Sequence, residues 1–183
     1  MTPLSTRPAA AGNRAISQLD EKGHTMCGIA GWVSYDSDLR TQRDVIATMT
    51  KTMARRGPDA GGVFINRHVG LGHRRLAVID LAGGVQPMQA EEEGRTTVSL
   101  IYSGEVYNFE ELRDKLSQLG HRFKTRSDTE VVLRGYLQWG DDVVERLNGM
   151  FAFAIWDVRT EELFLVRDRM GVKPLFYYPT ADV

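Results

Sequence analysis

The chain has a single cysteine, only four histidines, almost no net charge and no long apolar run. Each scarcity excludes something. One cysteine cannot build an internal disulfide framework, so the default expectation is a cytoplasmic protein. Four scattered histidines beside one cysteine leave no plausible zinc cluster, and no metal is expected. A formal net charge of −1 gives no electrostatic argument for nucleic acid or an anionic membrane surface. No apolar stretch approaches the ~20 residues of a membrane-spanning helix, and no segment repeats another.

What is present suits one globular domain. With 42% hydrophobic and 26% charged residues over 183 positions, the chain can bury a sizeable core. Residues 1–25 stand apart: they are rich in Ala, Ser, Thr, Pro and charge and carry no apolar periodicity. They also lack the apolar core of a signal peptide, so this leader is expected to be disordered or absent from the working protein. The domain is then 26–183.

From Met26 the texture changes. Residues 27–33 read as a strand, broken by Asp36, Ser37 and Asp38, which offer capping oxygens. Val45, Ile46, Met49 and Met53 recur at helical spacing until Gly57-Pro58, predicting an amphipathic helix over 41–56. A hairpin follows from 63, turning at Asn66-Arg67-His68 and continuing to Ile79. After a loop at Gly83-Gly84 and Gln86-Pro87, 96–102 reads as a strand.

Asn108, with Glu111 three residues on, predicts a capping-box-like helix start, and Gly120 its stop. Either Ser127 or Asp128 caps the next helix, which closes near Gly140, and a short helical turn spans 141–147. Residues 150–156 and 163–166 form a last hairpin, followed by 174–178. The run Phe151-Ala152-Phe153-Ala154-Ile155-Trp156 is apolar on both faces, so its sheet must be covered on each side. Periodicity alone reaches a layered α/β or α+β domain.

The most informative stretch is Met26-Cys27-Gly28-Ile29-Ala30-Gly31. A lone cysteine beside a core strand is most often a small buried hydrophobe. If processing makes Cys27 the first residue, however, one amino acid carries both a thiol and a free α-amine. Such amines titrate near pH ~7.7–8.0 and thiols near ~8.5, so the amine can relay the thiol proton without a histidine.

Further motifs give that cysteine company: Arg56-Gly57-Pro58-Asp59, His73-Arg74-Arg75-Leu76-Ala77-Val78-Ile79-Asp80, Gln86-Pro87-Met88, Gly104-Glu105-Val106-Tyr107-Asn108, Ser127-Asp128-Thr129-Glu130 and Arg167-Asp168-Arg169-Met170-Gly171-Val172-Lys173-Pro174-Leu175. In this order they resemble the N-terminal glutaminase domain of glutamine-hydrolysing asparagine synthetases, a class II glutamine amidotransferase with an N-terminal nucleophile. The resemblance covers about 26–178. It implies an α+β fold, a four-layer αββα sandwich of two mainly antiparallel sheets, as in N-terminal nucleophile hydrolases.

The resemblance also implies roles. Cys27 attacks the carboxamide of L-glutamine, passing through a γ-glutamyl thioester to glutamate and ammonia. Arg75 takes the substrate α-carboxylate, for which a guanidinium fork is apt, and Asp128 its α-ammonium. By default Arg75 would be a solvated surface residue and Asp128 an N-cap. The backbone of Leu76, Ala77, Val78 and Ile79 lines the substrate, with Gly104 and Glu105 opposite.

The family usually has Asn-Gly where this chain has Ser103-Gly104, and that Asn amide helps form the oxyanion hole. Losing such a donor typically costs ~10²–10³ in rate, unless the Ser103 hydroxyl serves directly or through a water beside the Gly104 N–H.

In the full-length family a synthetase domain follows, using ATP and Mg to convert aspartate. No phosphate-binding motif occurs here, and Gly83-Gly84 is not one. The chain is therefore expected to be a fragment or to work with a synthetase domain in cis or in trans, with 167–175 near the interface and a homodimer possible. No cofactor is expected in the chain itself. A glutaminase feeding another acceptor, or a non-catalytic regulatory domain with Cys27 blocked by the leader, are the alternatives.

Because an amide nitrogen is no base, active protein is expected to begin at Cys27 when weighed by mass spectrometry. An active species still carrying Met1 would contradict this.

Overall fold

A computed structural model describes residues 26–76 and 83–180. The leader 1–25 and three of the expected site residues, Ala77, Val78 and Ile79, lie outside the described residues. Strands β1 (Gly28–Val33), β2 (Ala60–Ile65) and β3 (Val69–Arg75) form one sheet, and β4 (Met88–Glu92), β5 (Arg95–Val106), β6 (Gly149–Asp157) and β7 (Glu162–Arg167) form another. Their orders are β1-β3-β2 and β4-β5-β6-β7, with every neighbouring pair antiparallel. Helix α1 (Arg43–Thr52) lies on the first sheet, and α2 (Phe109–Gln118) and α3 (Asp128–Trp139) lie on the second. The layers are therefore αββα, the α+β fold expected from the resemblance.

Side-chain alternation explains the layering. On β5 and β6, Val98, Leu100, Tyr102, Phe151, Phe153 and Ile155 pack with Leu112, Leu116 and Val131–Leu133 beneath α2 and α3. The intervening Ile101, Ala154 and Trp156 pack with Val69 and Leu71 of β3, between the sheets. Strand residues two apart share a face, so a run apolar at every position can only be covered twice. Large side chains fill the helix side of β6, while alanines at 152 and 154 let the sheets approach.

The other helix layer depends on glycine. A Cβ at Gly72 of β3 would come within 1.9 Å of Thr50 Oγ1, and one at Gly70 within 2.5 Å of Ile46. Their absence lets α1 lie directly against the strand, while Val69, Leu71, His73 and Arg75 take the opposite face.

The sheets are tied at one end by Tyr35, whose hydroxyl donates to the carbonyl of Glu161 at 2.9 Å. Beside it, His68 Nε2 lies 3.8 Å from the Glu161 carboxylate. Cys27 and Ser103 stand at the other end.

Several boundaries differ from the expectation. The first helix begins with a 3-10 turn, Leu39–Gln42, capped by Asp38, and stops earlier than 56. β3 ends at Arg75, with Leu76 outside the strand, and the expected continuation over 77–79 lies outside the described residues. β4 was missed because Gln86-Pro87 and the acidic run Glu91-Glu92-Glu93 conceal an edge strand. β5 runs on through Ser103-Gly104-Glu105, whose polar composition belongs to a site rather than a core. Residues 174–180 join no sheet. Asn108 does not cap α2 with its side chain. Its amide instead donates to the Arg146 carbonyl and accepts from the Asn148 N–H, tying α2 to the approach of β6.

Within the inter-sheet layer, His73 is fully buried. Burial holds its imidazole down to about 4, against a hydrogen bond to the Tyr102 carbonyl and with the Arg75 and Arg74 charges adding to the depression. The unfolded chain takes up this proton near pH ~6.5, the folded chain only near 4, so this contribution to stability is present above ~6.5 and lost as pH falls toward 4. At pH 5 the loss should reach about 2 kcal/mol. His73→Gln is expected to flatten the fall in melting temperature between pH 7 and 5, and an unchanged slope would refute this assignment.

Candidate active site

Cys27 sits one residue before β1. Since Gly28 pairs with Arg74 across β1 and β3, Cys27 reaches the end of that ladder beside Arg75 and Leu76. The Leu76 N–H donates to Cys27 Sγ at 3.3 Å, and the thiol points back to the Leu76 carbonyl at 3.5 Å. From the second sheet, the Ser103 hydroxyl donates to the Cys27 carbonyl at 3.0 Å. The nucleophile candidate is thus held by both sheets.

A cavity of about 160 Å³ opens over the sulfur, a volume suited to one small amino acid rather than a drug-sized ligand. Its walls bring together Cys27, Arg75, Leu76, Ser103, Gly104 and Glu105, with Asp128 and Thr129 from the start of α3. Every described residue among those expected at the site therefore lines one cavity. Arg75 and Asp128 are nearly inaccessible, at 6% and 5% exposure, which overturns the default of a solvated surface arginine. Gly84 makes room for Arg75, since a Cβ there would fall 2.6 Å from Nη2.

The two capping alternatives at α3 resolve in favour of Ser127. Its hydroxyl accepts the Glu130 N–H at 3.3 Å, leaving the Asp128 carboxylate to face inward. There Asp128 Oδ2 accepts the Tyr102 hydroxyl at 2.8 Å and the Val106 N–H at 3.1 Å, while Oδ1 accepts the Thr129 N–H at 2.9 Å. Burial, reinforced by the Asp128 charge, pushes the Tyr102 phenol well above its ordinary value, so Tyr102 remains a donor at neutral pH.

Sequence reasoning missed part of this wall. Buried Gln86 accepts the Tyr102 N–H at 2.6 Å through Oε1 and reaches Thr129 Oγ1 at 3.4 Å through Nε2, bracing β5 against α3. Tyr102, Thr129, Met150 and Lys173 also line the cavity. Gln86 and Lys173 stand inside two of the ordered motifs, but nothing in their local pattern assigns a direction to either side chain. Tyr102 looked like an ordinary core residue of a strand.

Burial raises the Cys27 thiol, while the Leu76 N–H, Arg75 and Lys173 pull it back down. A thiol kept protonated by burial needs a base before it can attack. Among the described residues no group of three or more His, Cys, Asp or Glu could hold a metal ion, and no helix is long and apolar enough to cross a membrane.

The αββα sandwich, with a thiol just ahead of its first strand in a small charged cavity, matches the amidotransferase fold of the N-terminal nucleophile class. More particularly, residues 26–183 match the glutamine amidotransferase domain family, and the chain belongs to it. It is 49% identical over 152 residues to asparagine synthetase [glutamine-hydrolyzing] 3 of Bacillus subtilis, covering 83% of this chain and 25% of that protein. To putative asparagine synthetase [glutamine-hydrolyzing] 2 of Methanocaldococcus jannaschii it is 39% identical over 169 residues, covering 84% of this chain and 32% of that one. Among solved structures, glutamine phosphoribosylpyrophosphate amidotransferase of B. subtilis superposes with a TM-score of 0.51 at 25% identity, covering 60% of this chain and 25% of the other. The chain thus spans about a quarter to a third of the length of these relatives.

The Ser103 hydroxyl is occupied by the Cys27 carbonyl, so its first effect is on where the sulfur sits. Ser103→Ala should lower glutaminase turnover about fivefold, the value of one hydrogen bond of about 1 kcal/mol. Turnover equal to that of the parent protein would remove Ser103 from the catalytic arrangement.

Proposed function

We propose that the chain hydrolyses the side-chain amide of L-glutamine to glutamate and ammonia, with Cys27 as the N-terminal nucleophile. The observation that carries this is a buried cation and a buried anion, Arg75 and Asp128, in the same small cavity as the thiol. A free amino acid presents one carboxylate and one ammonium, and a cavity that buries one charge of each sign matches that pair. Arg75 takes the α-carboxylate and Asp128 the α-ammonium, with Leu76, Glu105 and the segment Ala77, Val78 and Ile79 around the side chain.

In the proposed reaction the leader and Met26 are removed first, because Met26 lines the cavity and acylates the nitrogen that must act as base. The freed α-amine takes the Cys27 thiol proton as sulfur attacks the amide carbon. The Gly104 N–H is the donor proposed for the oxygen on which negative charge develops, while Ser103 holds the Cys27 carbonyl. The amine then delivers its proton to the departing nitrogen, releasing ammonia and leaving a γ-glutamyl thioester. Water, deprotonated by the same amine, cleaves the thioester to glutamate and restores the thiol.

The ammonia acceptor is proposed to be aspartate, activated with ATP and Mg by a synthetase domain in cis or in trans. Two facts support this: the relatives are named as glutamine-hydrolysing asparagine synthetases and extend far beyond the matched region. The exposed Met170, Phe176 and Tyr178, each more than four-fifths accessible, supply an apolar surface for that domain. The single free thiol fits a reducing, cytoplasmic setting.

A glutamine-analogue electrophile such as diazo-oxo-norleucine is expected to label Cys27 and to abolish ammonia release, whereas Cys27→Ala should take up no label. If Cys27 in correctly trimmed protein stays unlabelled, the alternative of a non-catalytic regulatory domain replaces this one.

A further inference from the structure

The turn after β7 is built to present one side chain. Asp168, 5% exposed, accepts the Val172 N–H through Oδ1 and the Lys173 and Phe151 N–H groups through Oδ2, at 2.9, 2.9 and 3.2 Å. Arg167 closes the turn from outside, donating through Nε to the Lys173 carbonyl at 2.8 Å and through Nη2 to the Gly171 carbonyl at 2.7 Å. Both peptide groups flanking the Lys173 Cα are thereby tied down. A flexible lysine on a loop usually points to water, yet this one is half-buried and lines the cavity. Its ammonium lies 3.1 Å from Met26 Sδ, one residue from the nucleophile.

From this placement we propose that Lys173 acts through Cys27, as the cation that favours its reactive, deprotonated form and keeps its α-amine unprotonated near neutral pH. The proposal rests on Cys27 being the nucleophile and adds a group that the glutaminase assignment does not contain. A positive charge sharing the cavity with a thiol and an amine favours thiolate over thiol and free amine over ammonium. Both effects act in the direction catalysis needs, and they oppose the burial that keeps the thiol protonated. A thioether is a poor partner for an ammonium, so losing Met26 costs Lys173 little and turns its charge toward the new amine.

The charged groups around this pair come from several elements. Arg75 at the end of β3 adds a second cation to the Cys27 side. Burial lowers the Lys173 ammonium and Arg56 after α1 adds to that, while Cys27, Glu105 of β5 and Asp168 pull in the opposite direction, toward the charged form. Asp128 of α3 shares the cavity, where its carboxylate accepts from Tyr102, Val106 and Thr129 and is committed here to the substrate ammonium. Arg75 is committed here to the substrate carboxylate, which would neutralise it once glutamine binds. Lys173 then carries the remaining positive charge on the Cys27 side of the cavity.

The test is the pH dependence of Cys27 alkylation by iodoacetamide, measured on the purified protein without glutamine. Lys173→Met and Lys173→Gln should move the alkylation midpoint upward by roughly half to one unit, slowing the reaction at pH 7 about threefold to tenfold. Lys173→Arg should keep the parent midpoint. Rates that fall equally at every pH with the midpoint unmoved, or an arginine variant shifted as far as the methionine one, would overturn the proposal by reducing Lys173 to a structural part of the turn. Because the assay reads the thiol alone, it remains decisive even if glutamine proves not to be the substrate.

Discussion

Everything at the cavity depends on Cys27 being gripped from two sheets at once. The Leu76 N–H meets its sulfur from one sheet, and the Ser103 hydroxyl meets its carbonyl from the other. Neither bond is strong alone. Together they fix Cys27 at the seam of the sandwich, so the candidate nucleophile needs no dedicated loop. Positioning of this kind is worth more to a reaction than affinity, because only correctly oriented encounters react.

That grip exists only because the strands alternate cleanly. On β3, odd-numbered positions lead from the inter-sheet core of Val69 and Leu71, through buried His73, to Arg75 at the cavity. On β5 the same alternation runs from Ile101 to Ser103 and Glu105, while Tyr102 faces α3 and braces Asp128. The strands thus change character along their length, apolar where sheets pack and polar where the substrate is proposed to lie. The core and the site are successive stretches of one pattern.

Much of this was legible in the sequence, for identifiable reasons. The double-faced apolar run of β6 demanded cover on both sides and received it. Helices α2 and α3 were marked by their glycine stops and their apolar faces, and the ordered motifs around Cys27, Arg75 and Asp128 came together in space. What escaped were features set by tertiary geometry. Asn108 sits where a cap belongs but spends its amide on the 146–148 segment. Gln86 and Lys173 have directions that only the packed turns around them determine. β4 is an edge strand with two successive glutamates, and its local composition argues for a loop.

The tie between Tyr35 and Glu161 at the end of the sandwich away from Cys27 carries a mechanical meaning. Two stacked sheets joined at a single point can pivot or slide past each other, and a seam residue would travel with them. Here contacts at opposite ends, Tyr35 to Glu161 and Ser103 to Cys27, add to the packed layer between the sheets and oppose such sliding. The chemistry proposed at the sulfur would then take place on a frame whose halves keep their alignment from one turnover to the next.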